Sequence, residues 1–414
     1  MSAASGRSTR LGSTESVRIA PPVLSAVLFL FAALSPAFAQ TTADYRCVIR
    51  TDEVRPPQLS MPSPVKRGRG DDGDDDHDRR DQTGFNPNSG QLTSQGRPAG
   101  LHFSPVCPEG QVPISIRPIH HGPKGNPLFA SDSANEIFQA ADRRQFVRDH
   151  LLTFDEAFGQ PGEPNPPTPT PLGPACDGRF WYGECFYYGA AGFARVADGA
   201  AMTQSIERPV YVNIAGPSKY GHSLDEIAVM DSPSIFNVVE LGWFVSTDVY
   251  GDPDPHIFVY HWIQGQETCY DDCGWHQFSN TYYPRQNLGA AVGKQVYVGY
   301  VYYQGNWWAW FDDQWMGYFP GSIWSGAFTK SALIEWFGEV ASLNGIPPQT
   351  QMGNGQFPSS TSAASMSTLC DVDAVAWVCW YRDLQALAAT PPNPKYYDIE
   401  HTGFGATRYG GPGQ

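Results

Sequence analysis

The chain has 414 residues, room for two or three domains. Charged residues are 17% of it and the formal net charge is −15, an acidic balance that argues against a nucleic-acid partner. Aromatic residues reach 13%, and together with 42 Gly and 36 Pro they favour sheets and turns over helix bundles.

Arg7, Arg10 and Arg18 precede an uncharged apolar run from Val23 to Leu34. Ala37-Phe38-Ala39 then supplies a small-x-small cleavage site. This layout predicts a secretory signal peptide over residues 1–39, with Gln40 as the new terminus. The apolar run is short for a bilayer span, and no later segment is apolar enough. The expected product is secreted, extracellular or periplasmic, with no membrane attachment after cleavage.

Thr41 to Gly100 is polar and broken by proline. It holds a basic patch, Lys66-Arg67-Gly68-Arg69, followed by an acidic run from Asp71 to Asp78. The acidic run lacks the ligand spacing, turn glycine and closing Glu of a calcium loop, and reads as solvated and disordered. Leu101 to Pro118 reads as a small ordered element. Ser133 to Phe158 reads as a helix, capped by Ser133, with Ile137, Phe138, Ala141, Phe146 and Val147 on one side. Gly159 to Pro174 carries too many prolines for a helix interior or a sheet and predicts a stiff linker. It divides residues 40–158 from a domain over 175–414.

Beyond Cys176, runs of β-branched and aromatic residues alternate with turn residues. Pro209–Ile214, Asn237–Ser246, His256–Ile263, Gln295–Tyr303 and Trp307–Phe311 read as strands, with a hairpin turn at Gln304-Gly305-Asn306. So many short strands imply an all-β domain, a sandwich or a closed barrel. The eight cysteines are Cys47, Cys107, Cys176, Cys185, Cys269, Cys273, Cys370 and Cys379. An even count in an oxidising compartment predicts disulfides. Local pairing of Cys176 with Cys185, Cys269 with Cys273 and Cys370 with Cys379 would leave Cys47 for Cys107.

Two carboxylates are candidates for chemistry, and for Glu240 the position alone fits an ordinary solvent-facing glutamate on a sheet at least as well. Glu240 lies in Val-Val-Glu-Leu-Gly-Trp-Phe-Val. On a strand, Val239, Leu241, Trp243 and Val245 would share a core face, and Val238, Glu240, Gly242 and Phe244 the other. Glu339 follows a glycine among bulky apolar neighbours, an environment that raises a carboxyl pKa, and Glu335 is its competitor. The segment Ser331 to Leu343 also passes for a helix with an exposed Glu pair. Other machinery is missing. His256, His261 and His276 lack zinc-site spacing, and no His-Glu-x-x-His, Gly-x-Ser-x-Gly or nucleotide fingerprint occurs. No metal and no cofactor is expected. Carboxylates and aromatics suit acid peptidases and carbohydrate-active proteins, whether glycoside hydrolase or lyase. A non-catalytic lectin-like module is the third reading.

An ordered series of segments resembles the neprosin family. It runs through Tyr188-Gly189-Ala190, Glu240-Leu241-Gly242-Trp243, Phe258-Val259-Tyr260-His261-Trp262, Cys269-Tyr270, Gly305-Asn306-Trp307-Trp308, Gly317-Tyr318-Phe319-Pro320, Glu335-Trp336-Phe337-Gly338-Glu339, Gln351-Met352-Gly353-Asn354-Gly355 and Tyr409-Gly410-Gly411-Pro412-Gly413. Cys107-Pro108-Glu109-Gly110-Gln111-Val112-Pro113-Ile114 resembles the segment that closes that family's activation peptide. The resemblance implies a glutamic endopeptidase on an antiparallel β-sandwich, acting on peptides or proteins and in some members after proline. It implies Glu240 and Glu339 as the catalytic pair. It also implies that residues 40–158 are a propeptide that inhibits its own enzyme and is removed in the proline linker. Trp243, Tyr260 and Trp308 are candidates to hold substrate by flat apolar contact, against the alternative of ordinary sandwich core.

Overall fold

The computed structural model of the chain describes residues 45–50, 54–65, 98, 100–117, 124–125, 127, 178–181, 184–212, 221–232, 236–271, 273–343, 347–381, 388–389, 394–403 and 405–414. The expected signal peptide, the helix over 133–158, the linker over 159–174 and the charged runs at 66–69 and 71–78 lie outside the described residues.

Along the chain come β1 (Tyr45–Ile49), β2 (Pro64–Val65), β3 (Gln111–Ser115), β4 (Arg179–Trp181), β5 (Glu184–Ala197), β6 (Gly199–Ser205) and β7 (His222–Met230). Next are β8 (Val238–Val245), a one-turn helix α1 (Thr247–Tyr250), β9 (His256–Ile263), β10 (Gln266–Glu267), β11 (His276–Gln277), β12 (Gln295–Tyr303), β13 (Asn306–Phe311) and β14 (Gln314–Pro320). The last are β15 (Ser331–Leu343), β16 (Ala364–Asp373), β17 (Val378–Tyr381), β18 (Ala388–Ala389), β19 (Asp398–Gly403) and β20 (Ala406–Gly410).

Two large sheets result. The front sheet runs β10-β9-β8-β7-β15-β5-β18, with β4 on β5. The back sheet runs β11-β14-β13-β12-β6-β16-β17-β2, with β20 on β16 and β19 on β20. Among the described residues pairing is antiparallel except for β17 with β2. The protein is an all-β antiparallel sandwich. One apolar core lies between the sheets: Val239, Leu241, Trp243, Ile257, Trp336 and Val340 from the front meet Met202, Val298, Tyr300, Trp307 and Phe311 from the back. Strand alternation leaves a second apolar cluster on the outer face of the front sheet, with Tyr188, Leu224, Phe244, Phe258, Tyr260, Trp262 and Phe337. A third, rich in Trp, covers the outer face of the back sheet.

The strands expected at Asn237–Ser246, His256–Ile263, Gln295–Tyr303 and Trp307–Phe311 form as β8, β9, β12 and β13. The turn joining the last two uses Gln304 and Gly305 at positive φ, 48° and 82°, the conformation a two-residue hairpin needs. Residues 209–212 form no strand. The amides of Val210 and Val212 instead meet the side chains of Gln351 and Thr350. Residues 331–343 are a central strand, not a helix, because β5 and β7 pair along nearly all of their length. Disulfides join Cys47 to Cys107, Cys269 to Cys273 and Cys370 to Cys379. Cys185 is also disulfide-bonded, and its expected partner Cys176 lies outside the described residues.

Gly338 is where β15 lets the C-terminal strand approach. A methyl built there would collide with the ring of Tyr409, whose hydroxyl donates to buried Asp225 at 2.8 Å. Gly338→Val is expected to cost about 1–3 kcal/mol through overpacking, seen as a lower melting temperature. An unchanged melting temperature would mean that Tyr409 does not pack against β15.

Candidate active site

Three neighbouring strands at the middle of the front sheet each point a glutamate outward. Glu240 is on β8, Glu226 on β7 and Glu339 on β15. The register sets Glu226 opposite Gly242 and Phe337, Glu240 opposite Ala228, and Glu339 opposite Leu224. The small residues Gly242 and Ala228 leave the carboxyl groups room to converge. All three side chains are 0% exposed.

They converge on one cation. The Lys124 ammonium stands 2.7 Å from Glu226 Oε1, 3.5 Å from Glu339 Oε2 and 3.7 Å from Glu240 Oε2. Lys124 is itself fully buried. Beside it the Gly125 amide donates to Glu339 Oε1 at 3.3 Å, and the Lys124 amide donates to Glu267 Oε1 at 3.3 Å. Gly125 fits because it has no side chain: a methyl there would collide with the Glu339 carboxylate and the Tyr188 hydroxyl. The segment carrying Lys124 and Gly125 therefore occupies the space between the carboxylates.

The carboxyls are held differently. Glu339 pairs with His222 Nε2 at 2.6 Å and is hydrogen-bonded by the Tyr188 hydroxyl. Burial alone would raise its pKa, but the Lys124 charge, His222 and the Gly125 amide outweigh burial and hold it below the usual value of 4.5. Glu240 accepts from Trp262 Nε1 at 2.9 Å. Burial and the Glu339 charge prevail over Lys124 there and push its carboxyl up to about 7. Glu226 is raised well above its ordinary value by burial and then by Glu240, although it is nearest to Lys124. The difference lies in donor count. Glu226 has Lys124 on one oxygen and no hydrogen-bond partner on the other among the described residues, whereas several donors converge on Glu339. Buried charge without a partner is costly, so one ammonium keeps one carboxylate ionised and the other two retain protons more readily. Glu184, at the end of β5, is pushed up to about 8 by burial and by the charges of Glu339 and Glu267. Among the described residues no group of His, Cys, Asp and Glu is arranged to hold a metal ion.

Glu240 and Glu339, singled out in the sequence, thus meet at one point. Glu335 lies on the same face of β15 but packs against Gly192 of β5. Tyr260 is directly across from Glu240 on β9, and its hydroxyl accepts the Thr268 amide at 3.2 Å. The other two aromatic candidates are elsewhere. Trp243 has the opposite strand parity from Glu240, so its ring lies in the core between the sheets and its indole donates to Ser205 O at 2.8 Å. Trp308 lies in the cluster on the outer face of the back sheet. Neither shares the face of the glutamates. Sequence reading missed Glu226, His222 and Lys124. The alternation His222, Leu224, Glu226, Ala228, Met230 was the available signal for β7, hidden by the adjacent acids Asp225 and Glu226.

Residues 219–412 match the family model described as Neprosin. Among solved structures, scytalido-glutamic peptidase with a transition-state analogue inhibitor is similar at 7% identity and a TM-score of 0.32, over 55% of this chain and 99% of that one. CG-16, a homodimeric agglutinin from chicken liver, is similar at 11% identity and a TM-score of 0.22, over 37% of this chain and 96% of that one. The carbohydrate-binding module CBM66 from Bacillus subtilis gives 10% identity and a TM-score of 0.21, over 40% and 83%. Likeness at these TM-scores assigns neither a residue nor a reaction.

The geometry sets a pH window for the seated segment. A carboxyl with a depressed pKa contributes stability above its unfolded value and loses it as pH falls through its folded one. The Gly125 amide is therefore expected to be strongly protected from hydrogen exchange at pH 7 and to lose protection well below pH 4.5. Lys124→Met, which leaves buried carboxyls unmatched, is expected to lower that protection at pH 7 by about a hundredfold or more. Equal protection in variant and parent would show that the ammonium does not hold the segment.

Proposed function

We propose, from the premise that the chain belongs to the neprosin family through residues 219–412, that it is a glutamic endopeptidase made as a secreted precursor and active at acid pH. The observation that carries this reading is the convergence of Glu240 and Glu339 on one buried point, filled by the Lys124 ammonium with the Gly125 amide beside it. Glu339, ionised, is the general base. Glu240, protonated below about pH 7, is the general acid.

His222 stays on Glu339 after Lys124 and Gly125 leave, and keeps it the more acidic of the pair. Once Lys124 withdraws, water takes its place between the two carboxyls. Glu339 removes a proton from the water as its oxygen bonds to the scissile carbonyl carbon. Glu240 gives its proton to the carbonyl oxygen, forming a tetrahedral intermediate. The C–N bond then breaks, the leaving nitrogen takes the proton from Glu339, and the product's hydroxyl proton returns to Glu240. Tyr260, across the strand from Glu240, supplies a flat apolar wall beside the cleft, suited to a proline ring on the acyl side.

Latency has the same origin. Residues 40–158 act as the propeptide, with Lys124 and Gly125 as the plug. Secretion is supported by the disulfides and by the leader pattern in the sequence. Among the described residues no helix is long and apolar enough to cross a membrane.

Cleavage of proline-containing and alanine-containing quenched peptides from pH 2 to 8 tests the proposal. Processed protein should peak on the acid side and prefer proline. Glu240→Gln and Glu339→Gln should each lower kcat/KM by at least about a hundredfold. Activity that survives both substitutions would remove the glutamate pair from the reaction. Lys124→Met precursor should cleave short peptides before processing, and a Glu240→Gln precursor should fail to mature in acid. Maturation of that variant at the parent's rate would end the idea of self-processing.

A further inference from the structure

Residues 54–65, Val-Arg-Pro-Pro-Gln-Leu-Ser-Met-Pro-Ser-Pro-Val, run across the outer face of the back sheet, far in sequence from the side chains that hydrogen-bond them. Among the described residues their strand pairing is limited to Pro64 and Val65 beside Cys379 and Trp380. Side chains of the sheet do the rest. Trp315 Nε1 donates to Leu59 O at 3.0 Å, Trp377 Nε1 to Ser60 O at 2.9 Å, and the Tyr297 hydroxyl to Pro62 O at 2.8 Å. Pro57, Met61, Pro62 and Pro64 are buried, while Gln58, Leu59 and Ser60 face solvent. Met61 packs in a cluster with Trp308, Trp310 and Trp315. The indoles brace one another, Trp310 on Trp315 with centroids 5.0 Å apart and Trp315 on Trp377 at 6.4 Å.

These contacts have the chemistry by which proteins grip proline-rich chains. An extended proline-rich backbone loses little entropy on docking, lacks amide donors at its prolines, and offers carbonyls to donors on an aromatic wall. No charged side chain of the sheet takes part in the three carbonyl contacts. A cavity of about 420 Å³ continues the groove beside Pro57 and Leu59, lined by Arg50, Phe278, Trp310 and Asp313.

We infer that this groove is a second binding site, for extended proline-rich segments of polypeptide, which the strap fills in the precursor. It rests on the peptidase reading for how the groove empties and for what its occupant becomes, namely a stretch of substrate held away from the glutamates. The groove itself is independent of which residues cleave.

The test uses the full chain. Met61→Asp places a charge in the aromatic cluster and lifts the strap. Binding of two labelled peptides is then read by fluorescence anisotropy: one with the sequence of residues 54–65, the other unrelated but with the same proline spacing. Both should bind the Met61→Asp chain and neither the parent. Adding Trp315→Phe and Trp377→Phe, which keeps the rings and removes two donors, should weaken both peptides about tenfold or more. If Met61→Asp does not fold, the milder Met61→Ala with Pro64→Ala gives the same reading. Binding of the 54–65 peptide alone would reduce the groove to a seat for the chain's own strap and overturn the inference. So would binding of neither peptide to a folded chain with a lifted strap, or Trp-dependent binding of an oligosaccharide in their place. Cleavage of a short peptide by processed protein should not change with the two Trp substitutions. A processed parent chain that cleaves no peptide at any pH, while the Met61→Asp chain binds both peptides, would fault the peptidase reading and leave the groove standing.

Discussion

Among the described residues a single ammonium group is enclosed with three carboxyl groups at the centre of the front sheet, and the site depends on that imbalance. Each of these charges costs several kcal/mol to remove from water. Lys124 repays the cost for one partner, and Glu339, which His222 and the Gly125 amide also face, is the one kept ionised. Glu226 and Glu240 are left with burial and mutual repulsion, which favour their protonated forms. The arrangement thus separates the protonation states of chemically identical side chains while the ammonium is in place. It does so through hydrogen-bond supply on particular strands, without any difference in residue type.

The rigidity of that arrangement comes from behind the sheet. Asp225 and Glu226 are neighbours in sequence and point to opposite faces of β7. Glu226 looks into the site. Asp225 looks into the sandwich, where burial raises its pKa well above the usual value and the Tyr409 hydroxyl bonds it. Tyr409 reaches it because Gly338, the residue before Glu339, leaves space on the inner face of β15. The C-terminal strand therefore fixes from within the two strands that carry Glu226 and Glu339. Tyr300 adds a similar cross-link, its hydroxyl donating to the backbone oxygen of Glu240 at 3.1 Å.

Much of this is legible from residues alone, and the exceptions have physical causes. β8 and β9 announce themselves by alternation and β-branched content, and that alternation by itself assigns Glu240 to its face. β15 is ambiguous because a long apolar segment with two acids four apart satisfies a helix as well as a strand, and pairing on both sides decides it. β7 is hidden by two adjacent acids, a pattern that reads as solvent-exposed unless each acid has a buried partner on its own face. Lys124 has no pattern to mark it. It belongs to a short Gly- and Pro-rich stretch, and only the fold shows that its ammonium is enclosed. Trp243 and Trp308 illustrate the reverse limit, since aromatic content does not reveal which of several apolar surfaces a ring will join.

The N-terminal region touches the two outer faces by different chemistry, and this has a kinetic consequence under the precursor reading. On the front sheet the contact is ionic, Lys124 to glutamates, and it weakens as acid protonates Glu339. On the back sheet the contact is made of indole and phenol donors to carbonyls and of buried Pro and Met, none of which titrates in acid. A fall in pH would therefore free the catalytic face first while the strap still holds the back. The plug would remain tethered near the carboxylates it has just left, at high effective concentration. Reclosure would compete with cleavage until the chain between plug and domain is cut. Acid alone would then give reversible opening, and permanent activation would require a broken peptide bond. The back-sheet groove would empty only after that bond is lost, so that the second surface becomes accessible when the first is committed to catalysis.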